Sequence, residues 1–425
     1  MTIGRHTRAT AALAALAVGA FAIGTGEFAV MGILPDIAGN LSVGIPTAGH
    51  LISAYALGVV VGAPVLVALS TRLSRRATLV LLMGAFAVGN GLSAAAPGYG
   101  WLLAARFLAG LPHGAYFGVG AVVAGGLVEP SRRARATAMM FTGLTVANVV
   151  GVPLSTLAGQ ELGWRVVFAG VGVVGAVAAA GVLLTVPRDG EHTAALRLGA
   201  ELRALRRPQV WLALVVATLG GATLFTTYSY IVPMLTRVSG FTPSGVTWLL
   251  VVFGLGMTAG NLVGARLADR ALMPSLYAFL VLEGLVAALF LVTLHNQVTA
   301  GITLFVFAAA TFALVPVLQT RIITQAAGAP NIASAAVQAA FNIANALGAW
   351  LGGLVIAAGL GYAAPNAVAA ALAGCGLLAA AYAGTLAHRR PRTTIPDGPP
   401  PTLPDPRRPE AEPSAPALWS GPDHR

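Results

Sequence analysis

The chain has 425 residues, of which 57% are hydrophobic and 9% are charged. A soluble domain carries about 25% charged residues, so this composition excludes an ordinary soluble protein. The formal net charge of +11 would suggest a nucleic-acid partner in a soluble protein. Here the basic residues lie between long apolar runs and indicate no nucleic-acid binding.

Twelve apolar runs follow one another along the chain, and each is long enough to cross a bilayer, which takes about 20 helical residues. We therefore predict an all-α polytopic membrane protein whose twelve transmembrane helices contact the lipid bilayer. The first run contains Glu27 and is too long for a signal peptide, so we expect it to remain as a helix. The predicted spans are roughly residues 11–34, 46–69, 77–97, 101–125, 136–159, 164–186, 209–235, 243–265, 274–294, 298–318, 332–357 and 362–387.

The basic residues are divided unevenly between the two sides of the predicted membrane. If the N-terminus lies in the cytoplasm, nearly every loop arginine falls on the cytoplasmic side, and only Arg165 and Arg237 lie outside. Basic residues are enriched in cytoplasmic loops. The distribution therefore predicts cytoplasmic N- and C-termini in a multi-pass protein of the cell inner (cytoplasmic) membrane.

One sequence motif occurs near the ends of two apolar runs. Gly62–Arg72 reads GAPVLVALSTR and Gly260–Arg270 reads GNLVGARLADR, with Gly, Leu and Arg in matching places. An internal repeat in a membrane chain indicates two related bundles that rock about a shared central site. This pattern is typical of a transporter.

The longest polar interruption comes after the sixth predicted helix. We therefore predict an N-terminal six-helix bundle over residues 1–187, a cytoplasmic linker over 188–208 and a C-terminal six-helix bundle over 209–388. Residues 389–425 are rich in Pro, Asp, Glu and Ser. That composition favours a disordered cytoplasmic tail.

Several sequence segments, in order over about residues 10–388, resemble those of the major facilitator superfamily. The chain is most similar to the twelve-helix drug:proton antiporter group, in the branch of arabinose-efflux-like and chloramphenicol-resistance permeases. The resemblance implies the major facilitator fold and proton-coupled efflux without a cofactor. The segments are GTGEFAVMGILPDIA (24–38), YALGVVVGAP (55–64), RFLAGLPHGAYFGVG (106–120), GLTVANVVGVPLSTLAGQELGWR (143–165), YSYIVPMLTRVSGF (228–241) and FNIANALGAWLGG (341–353).

The loop after the second predicted helix resembles a signature of the superfamily, in which an Asp-Arg pair precedes a basic pair. Thr71 stands where the family usually has aspartate. The resemblance implies that the matching groups contact neighbouring helix ends and gate the transporter. The alternative is that the arginines only determine topology. The matching residues are Arg72, Arg75 and Arg76 in the first copy and Asp269 and Arg270 in the second.

A stripe of small residues lies along the fifth predicted helix, and Pro153 lies beside it. Such a stripe lets another helix backbone approach closely, and the proline can bend the helix. The resemblance implies a gate built from the bend and the close contact, whereas ordinary tight packing is the alternative. The stripe consists of Gly143, Ala147, Gly151, Ser155 and Gly159.

Three ionisable residues lie well inside predicted helices, namely Glu27, Arg106 and Glu283. Each costs roughly 2.5–3.5 kcal/mol at the bilayer centre, so each needs a partner or an aqueous cavity. Pro35 and Trp101 mark the outer interface. At about 1.5 Å per residue, Glu27 and Arg106 lie roughly 12 and 8 Å below it. The two side chains can therefore pair or share a cavity.

The resemblance implies that Glu27 and Arg106 take part in proton coupling and substrate binding, and a static buried ion pair is the alternative. Asp36 is either a solvated helix-end residue or a donor of protons toward Glu27. For Glu283, in the ninth helix, we expect a packing or lipid-edge role. For His113 the alternatives are a neutral histidine bonded within the bundle and a proton relay.

Polar and aromatic residues on several helices are candidate contacts for a small-molecule substrate. Gln338, Asn342 and Asn345 are spaced so that they share one face of the eleventh helix. Amides, hydroxyls and aromatic rings suit a largely apolar ligand with a few polar groups. Hydrogen bonds between helices are the alternative explanation. The remaining candidates are Tyr55, His113, Asn148, Thr227, Tyr228 and Tyr230.

The sequence contains no nucleotide-binding glycine loop followed by Lys, no metal-spaced Cys and His set, and no plausible catalytic triad. We therefore predict that the protein is not an enzyme and does not use ATP. The leading function is export of a small amphipathic compound, such as chloramphenicol, in exchange for protons by a monomer. Export of a sugar or endogenous metabolite is the alternative within transport. A non-transporting membrane sensor is the alternative outside it.

Overall fold

The computed structural model describes the backbone of residues 2–70, 73–188, 207–326 and 330–388. It describes the side chains within these ranges apart from 2–7, 330–335 and 387–388. Three sequence predictions lie outside the described residues. They are residues 189–206 of the predicted linker over 188–208, the predicted gating residue Arg72 with its neighbour Thr71, and the predicted tail from residue 389.

Helices make up almost all of the described chain, and no strand occurs in it. Twelve of these helices are long and apolar enough to cross a membrane. The predicted all-α class and the twelve spans are therefore confirmed. We number the helices α1 (Thr2–Gly32), α2 (Ile45–Ser70), α3 (Arg75–Ala94), α4 (Tyr99–Gly126), α5 (Pro130–Leu162), α6 (Trp164–Thr185), α7 (Pro208–Tyr228), α8 (Pro243–Arg270), α9 (Leu272–Thr293), α10 (Gln297–Gln325), α11 (Pro330–Ala357) and α12 (Ala364–His388).

A short helix follows α1 and another follows α7. They span Leu34–Asn40 and Ile231–Arg237, and the backbone leaves the helical conformation just before each. Each short helix contains a proline near its start, Pro35 in the first and Pro233 in the second, and these prolines are 198 residues apart. Proline lacks an N–H group and its ring clashes with the preceding turn, so neither long helix continues through. The predicted seventh span, 209–235, crosses the second break, and its end is therefore wrong.

In both halves of the chain, the second helix packs closely on the fourth. Gly62 of α2 lies against the backbone oxygen of Leu111 in α4, where a Cβ atom has no room. Gly260 of α8 lies in the same way against Ala309 of α10. Each member of the second pair comes 198 residues after its counterpart in the first. The repeated sequence motif therefore corresponds to a repeated contact between helix backbones.

The helical geometry of α5 changes just before its proline. Ala147–Gly151 is a π-helix, and Pro153 lies in the first turn of the α-helix that follows. Because Pro153 has no N–H group to donate, the regular hydrogen-bond ladder cannot run through this point. The backbone of Asn148 in the π-helix lies directly against Gly254 of α8. The change in geometry therefore falls where α5 meets a helix of the other half.

The small-residue stripe of α5 packs on α1. Gly143 lies against the backbone oxygen of Ala17, where a Cβ atom has no room. Further along, Gly159 lies against the side chain of Ile33. The stripe therefore brings these two helices into close contact, as its residue type predicts. Its role in gating stays a prediction.

Among the described residues, the two halves of the chain, α1–α6 and α7–α12, share one hydrophobic core, which lies on one side of the molecule. We call this the loop side, because α1 ends and α2 begins there. The largest hydrophobic core contains residues of both halves on the loop side. On the opposite side, where the described chain begins and ends and which we call the termini side, each half has its own main core. On the loop side Ser53 Oγ of α2 donates to Ala346 O of α11 at 2.9 Å.

Candidate functional site

Glu27 lies in the last turns of α1, between the two halves, and its side chain is only 8% exposed. One carboxylate oxygen, Oε1, accepts a hydrogen bond from Asn345 Nδ2 of α11 at 3.0 Å. The other oxygen, Oε2, is 3.9 Å from His113 Nδ1 of α4. A titratable group thus contributes directly to the contact between the halves.

His113 links Glu27 to Tyr55 of α2. Its Nδ1 atom, which faces Glu27, is also 3.2 Å from the Tyr55 hydroxyl. The ring further packs against Phe117, with centroids 5.2 Å apart. All three polar groups are buried. When the Tyr55 hydroxyl donates to Nδ1, the imidazole is neutral and its own proton lies on Nε2.

Arg106 of α4 is completely buried and is held by a backbone oxygen and two aromatic rings. Its Nη2 atom donates to Gly26 O, one residue before Glu27, at 2.8 Å. The guanidinium carbon is 4.4 Å from the ring centroid of Tyr55 and 5.1 Å from that of Phe168. Such cation–π contacts partly replace the lost hydration of the charge.

No guanidinium nitrogen of Arg106 comes within 4.0 Å of a described carboxylate. The static ion pair with Glu27, which the sequence leaves open, is therefore not formed in this arrangement. Nε and Nη1 of Arg106 have no hydrogen-bond partner among the described residues. Glu27 and Arg106 are neighbours, and the cation keeps free donors beside the carboxylate.

The polar face of α11 meets Glu27 at its Asn345 end. Asn342 Nδ2 donates to Gln338 O within the same helix at 3.0 Å. The side-chain oxygens of Asn342 and Asn345 have no partner among the described residues. This face therefore offers amide oxygens as acceptors next to a carboxylate.

Tyr228 and neighbouring aromatic rings form an apolar wall beside Glu27. The Tyr228 ring stacks on Phe253 of α8, with centroids 4.2 Å apart and planes 8° from parallel. Phe28, the residue after Glu27, lies 6.1 Å from Tyr228 and 6.3 Å from Phe225, measured between ring centroids. The apolar wall and the polar face of α11 therefore both lie near Glu27.

Two predicted substrate residues form hydrogen bonds between helices. Thr227 Oγ1 donates to Asn366 Oδ1 of α12 at 2.9 Å. The Tyr230 hydroxyl donates to Ala349 O of α11 at 2.7 Å. Both hydroxyls already have partners, so the structure favours the packing alternative for them. Asn366, which sequence reasoning missed, is a fully buried amide. It is the only amide residue of α12, and that isolation is the signal that could have found it.

Asn148 and Asp36 lie away from the described contacts of Glu27. Asn148 Nδ2 donates to Leu144 O within α5 at 3.1 Å, and its Oδ1 has no described partner. Asp36 lies in the first turn of Leu34–Asn40 on the loop side and is half-buried. Burial raises the pKa of its carboxyl above the ordinary aspartate value. No described hydrogen bond connects Asp36 to Glu27.

Glu283 is neither at the lipid edge nor in the site. Its side chain is completely buried in the second half, between α9 and α7, where Oε1 faces Gly220. Of the two predicted roles, packing or lipid edge, burial therefore excludes the lipid edge. The helix as a whole is apolar on all sides, so its sequence does not indicate that this residue faces inward.

The described charged gating candidates lie at helix ends on the termini side. Arg75 is exposed and Arg76 half-buried at the start of α3, and Asp269 and Arg270 are exposed at the end of α8. Ser74 caps α3 by accepting a hydrogen bond from Ala77 N at 3.2 Å. Neither Arg76 nor Arg270 lies within 4.0 Å of a described carboxylate. Their gating role stays a prediction.

Comparison with known proteins agrees with this arrangement. The profile of the Major Facilitator Superfamily matches residues 16–335. The chain is 45% identical over 366 residues to the inner membrane transport protein YdhP of Escherichia coli K12, covering 86% of this chain and 94% of that protein. It is 38% identical over 358 residues to the chloramphenicol resistance protein of Streptomyces lividans, covering 83% and 89% of the two chains.

A solved structure shares the fold. It is a bacterial homologue of the human lysosomal transporter Spinster in an inward-facing, unoccupied conformation, and it superposes with a TM-score of 0.71 at 18% identity. The match covers 90% of this chain and 97% of that one. The chain therefore belongs to the Major Facilitator Superfamily and is a multi-pass membrane transporter rather than an enzyme.

Proposed function

We propose that this transporter exports small amphipathic compounds, including antibiotics of the chloramphenicol type, across the cell inner membrane in exchange for protons. Residues 1–187 and 209–388 form two bundles that rock about the site at Glu27, and both termini face the cytoplasm. The protein works as a monomer and uses no ATP. The observation that best supports this proposal is the hydrogen bond between Glu27 and Asn345, because a titratable group there joins the two halves.

Protonation of Glu27 changes how firmly the halves are held together. A hydrogen bond to an ionised group contributes about 1.5–3 kcal/mol, against about 0.5–1.5 kcal/mol for a neutral pair. Proton occupancy and the arrangement of the halves are therefore coupled. Each proton entering the cell gains about 2.3 kcal/mol per 100 mV and about 1.36 kcal/mol per pH unit. One or two protons suffice to export a compound against a useful gradient.

Arg106 is placed to stabilise ionised Glu27 once the bond to Asn345 is broken. It is anchored one residue before Glu27 and keeps two donor nitrogens without described partners. A rotation of the Glu27 side chain toward Arg106 would exchange the amide for the guanidinium. His113, 3.9 Å from the second carboxylate oxygen, is a further group that can take up the proton.

The surroundings of Glu27 suit an amphipathic substrate. Tyr228 and Phe253 provide a flat aromatic wall, and Asn342 and Asn345 provide amide oxygens. Aromatic surface with a few placed polar groups is typical of sites for small, largely apolar ligands. A compound that hydrogen-bonds to Asn345 competes with Glu27 for the same amide, which couples its binding to the proton. The resemblance to a chloramphenicol resistance protein supports a phenicol substrate.

Export of a sugar or an endogenous metabolite is the second candidate. The three amides on one face of α11, Gln338, Asn342 and Asn345, can both donate and accept, as sugar hydroxyls require. The stacked aromatic rings of Tyr228 and Phe253 favour the amphipathic compound over a sugar, because they provide apolar surface next to the amides.

The decisive experiment combines susceptibility profiling with transport in vesicles. A drug-sensitive host that expresses the chain should tolerate higher concentrations of phenicols than the same host expressing the Glu27→Gln protein. Energised inverted vesicles should accumulate chloramphenicol, and a protonophore should abolish that accumulation. Increased tolerance or accumulation of sugars alone would support the second candidate. The absence of proton-dependent flux for every compound in a broad panel would support the non-transporting membrane sensor.

A further inference from the structure

We infer that Glu283 is a second proton-binding site, which holds a proton in this conformation and exchanges it when α7 moves away from α9. The inference deepens the proposed proton coupling and rests on it. The residue lies in the second half, apart from the cluster around Glu27, and no step described above uses it.

The surroundings of Glu283 contain almost nothing polar. The side chain has no exposed surface, and neither carboxylate oxygen has a hydrogen-bond partner among the described residues. Oε1 faces Gly220 of α7, together with the side chains of Leu280 and Leu314. The Thr223 hydroxyl lies close to the carboxylate, and it donates to Leu219 O within α7 at 3.3 Å.

No described cation compensates a negative charge at this position. Arg321, the buried arginine of α10, donates to Met273 Sδ at 2.9 Å near the start of α9. Arg266, Asp269 and Arg270 of α8 are exposed on the termini side. An unpaired carboxylate in an apolar interior takes up a proton rather than staying ionised. Glu283 is therefore a carboxylic acid here, and the Thr223 oxygen can accept its hydrogen.

The other titratable side chains that the structure describes on the helices around Glu283 do not face it. The Tyr277 hydroxyl donates to Ala380 O of α12 at 3.3 Å, and Cys375 of α12 is exposed. Tyr228, further along α7, stacks on Phe253. The proton on Glu283 is therefore governed by burial and by the position of α7, and no charge on a described side chain contributes.

Packing by itself does not require an acid here. In the first half, the corresponding helices are α1 and α3, and there Gly26 of α1 faces Phe86 of α3. An apolar side chain thus fills the space between these two helices. The acid in the second half is costly in comparison, and a proton-exchanging role accounts for it.

The position of α7 connects Glu283 to the site. Gly220 faces Glu283, whereas its neighbour Gly221 faces Ala344 and Phe341 of α11. Ala344 precedes Asn345, the partner of Glu27. A shift of α7 that admits water to Glu283 therefore also displaces the segment of α11 that holds Glu27, so the two proton sites share one moving element.

The protonated state can be tested without a substrate. Infrared spectra of the full-length protein in lipid vesicles at neutral pH should show the C=O band of a buried carboxylic acid. The Glu283→Gln protein should lose one such band, whereas Glu161→Gln, at an exposed glutamate of α5, should lose none. If Glu283→Gln leaves the spectrum unchanged, the residue is ionised and the inference is wrong.

Exchange is tested by titrating the same band. Raising the pH should remove the band reversibly. If the band persists at every pH at which the protein stays folded, Glu283 does not exchange its proton and the inference is wrong. Ser53→Cys and Ala346→Cys, in a protein that also carries Cys375→Ser, allow the loop side to be cross-linked. The cross-link should raise the pH at which half of the band is lost by about one unit or more. An unchanged midpoint would overturn the link to conformation. Because no substrate is present, this result and the vesicle result can fail independently.

Discussion

Asn345 and Glu27 are 318 positions apart in the sequence, yet the Asn345 amide donates to the Glu27 carboxylate at 3.0 Å. The bond crosses from α11 to α1, so it belongs to the contact between the two halves and not to the interior of either. Arg106 stands beside it without forming an ion pair. The Glu27 carboxylate thus accepts a hydrogen bond from the other half, while Arg106 in its own half lies nearby without pairing with it.

Glu27→Gln should abolish proton-driven efflux while leaving expression near normal. Glutamine keeps the size and the hydrogen-bonding capacity of the side chain, but it cannot release a proton. Ligand-induced proton release by the purified protein, with chloramphenicol as the ligand, provides the measurement. If release persists in the Glu27→Gln protein, the coupling proton resides elsewhere, and Asp36 or Glu283 is next to test.

Asn345→Ala should loosen the loop side. Removing a hydrogen bond to an ionised group costs about 1.5–3 kcal/mol, or roughly 10- to 150-fold in an equilibrium constant. The distance between fluorophores placed on α2 and α11 at the loop side should lengthen in a larger fraction of molecules. Asn342→Ala is the matched control, because the Asn342 amide donates within its own helix. Equal effects of the two changes would contradict the proposed role of Asn345.

Arg106→Ala should impair efflux and move its pH profile to higher pH. Without the neighbouring guanidinium, ionised Glu27 loses the cation that favours it, so proton release needs a lower proton concentration. Arg106→Lys should restore part of the pH dependence but not the stacking on Tyr55 and Phe168. The measurement is the rate of chloramphenicol accumulation in inverted vesicles between acid and alkaline pH. An Arg106→Ala protein with a normal profile would assign Arg106 to packing alone.

Gly143→Ala should destabilise the protein by about 1–3 kcal/mol, because the added Cβ meets the backbone oxygen of Ala17 in the close contact between α5 and α1. Gly118→Ala, where a Cβ meets open space, is the control and should leave stability unchanged or slightly raised. Thermal unfolding of the purified proteins in detergent gives both values. Equal unfolding temperatures for the two variants would show that this contact does not contribute to stability.

Tags placed after Arg8, within residues 190–206 and after Arg392 should all report the cytoplasm. Arginine-rich loops are not readily translocated, so the distribution of arginine places all three segments on one side. Accessibility of the tags to an impermeant reagent in intact cells and in inverted vesicles decides the matter. A periplasmic signal from 190–206 would contradict the proposed orientation.

The sequence by itself determined the twelve helices, because the length and apolarity of each run match the thickness of a bilayer. It also indicated the repeat, which the contacts of Gly62 and Gly260 bear out. It singled out Glu27, Arg106 and Glu283, since an ionisable group in an apolar helix is costly wherever it points. These conclusions rest on local composition and helical period, which need no knowledge of how the helices are arranged.

Only the tertiary structure decided which groups meet. The period of a helix groups Gln338, Asn342 and Asn345 on one face, but the rotation of α11 against α1 selects Asn345 as the partner of Glu27. The same packing turns Thr227 toward α12 and buries Glu283 behind α7. Contacts between residues so far apart in the chain depend on the tilt and rotation of whole helices, which no local pattern specifies.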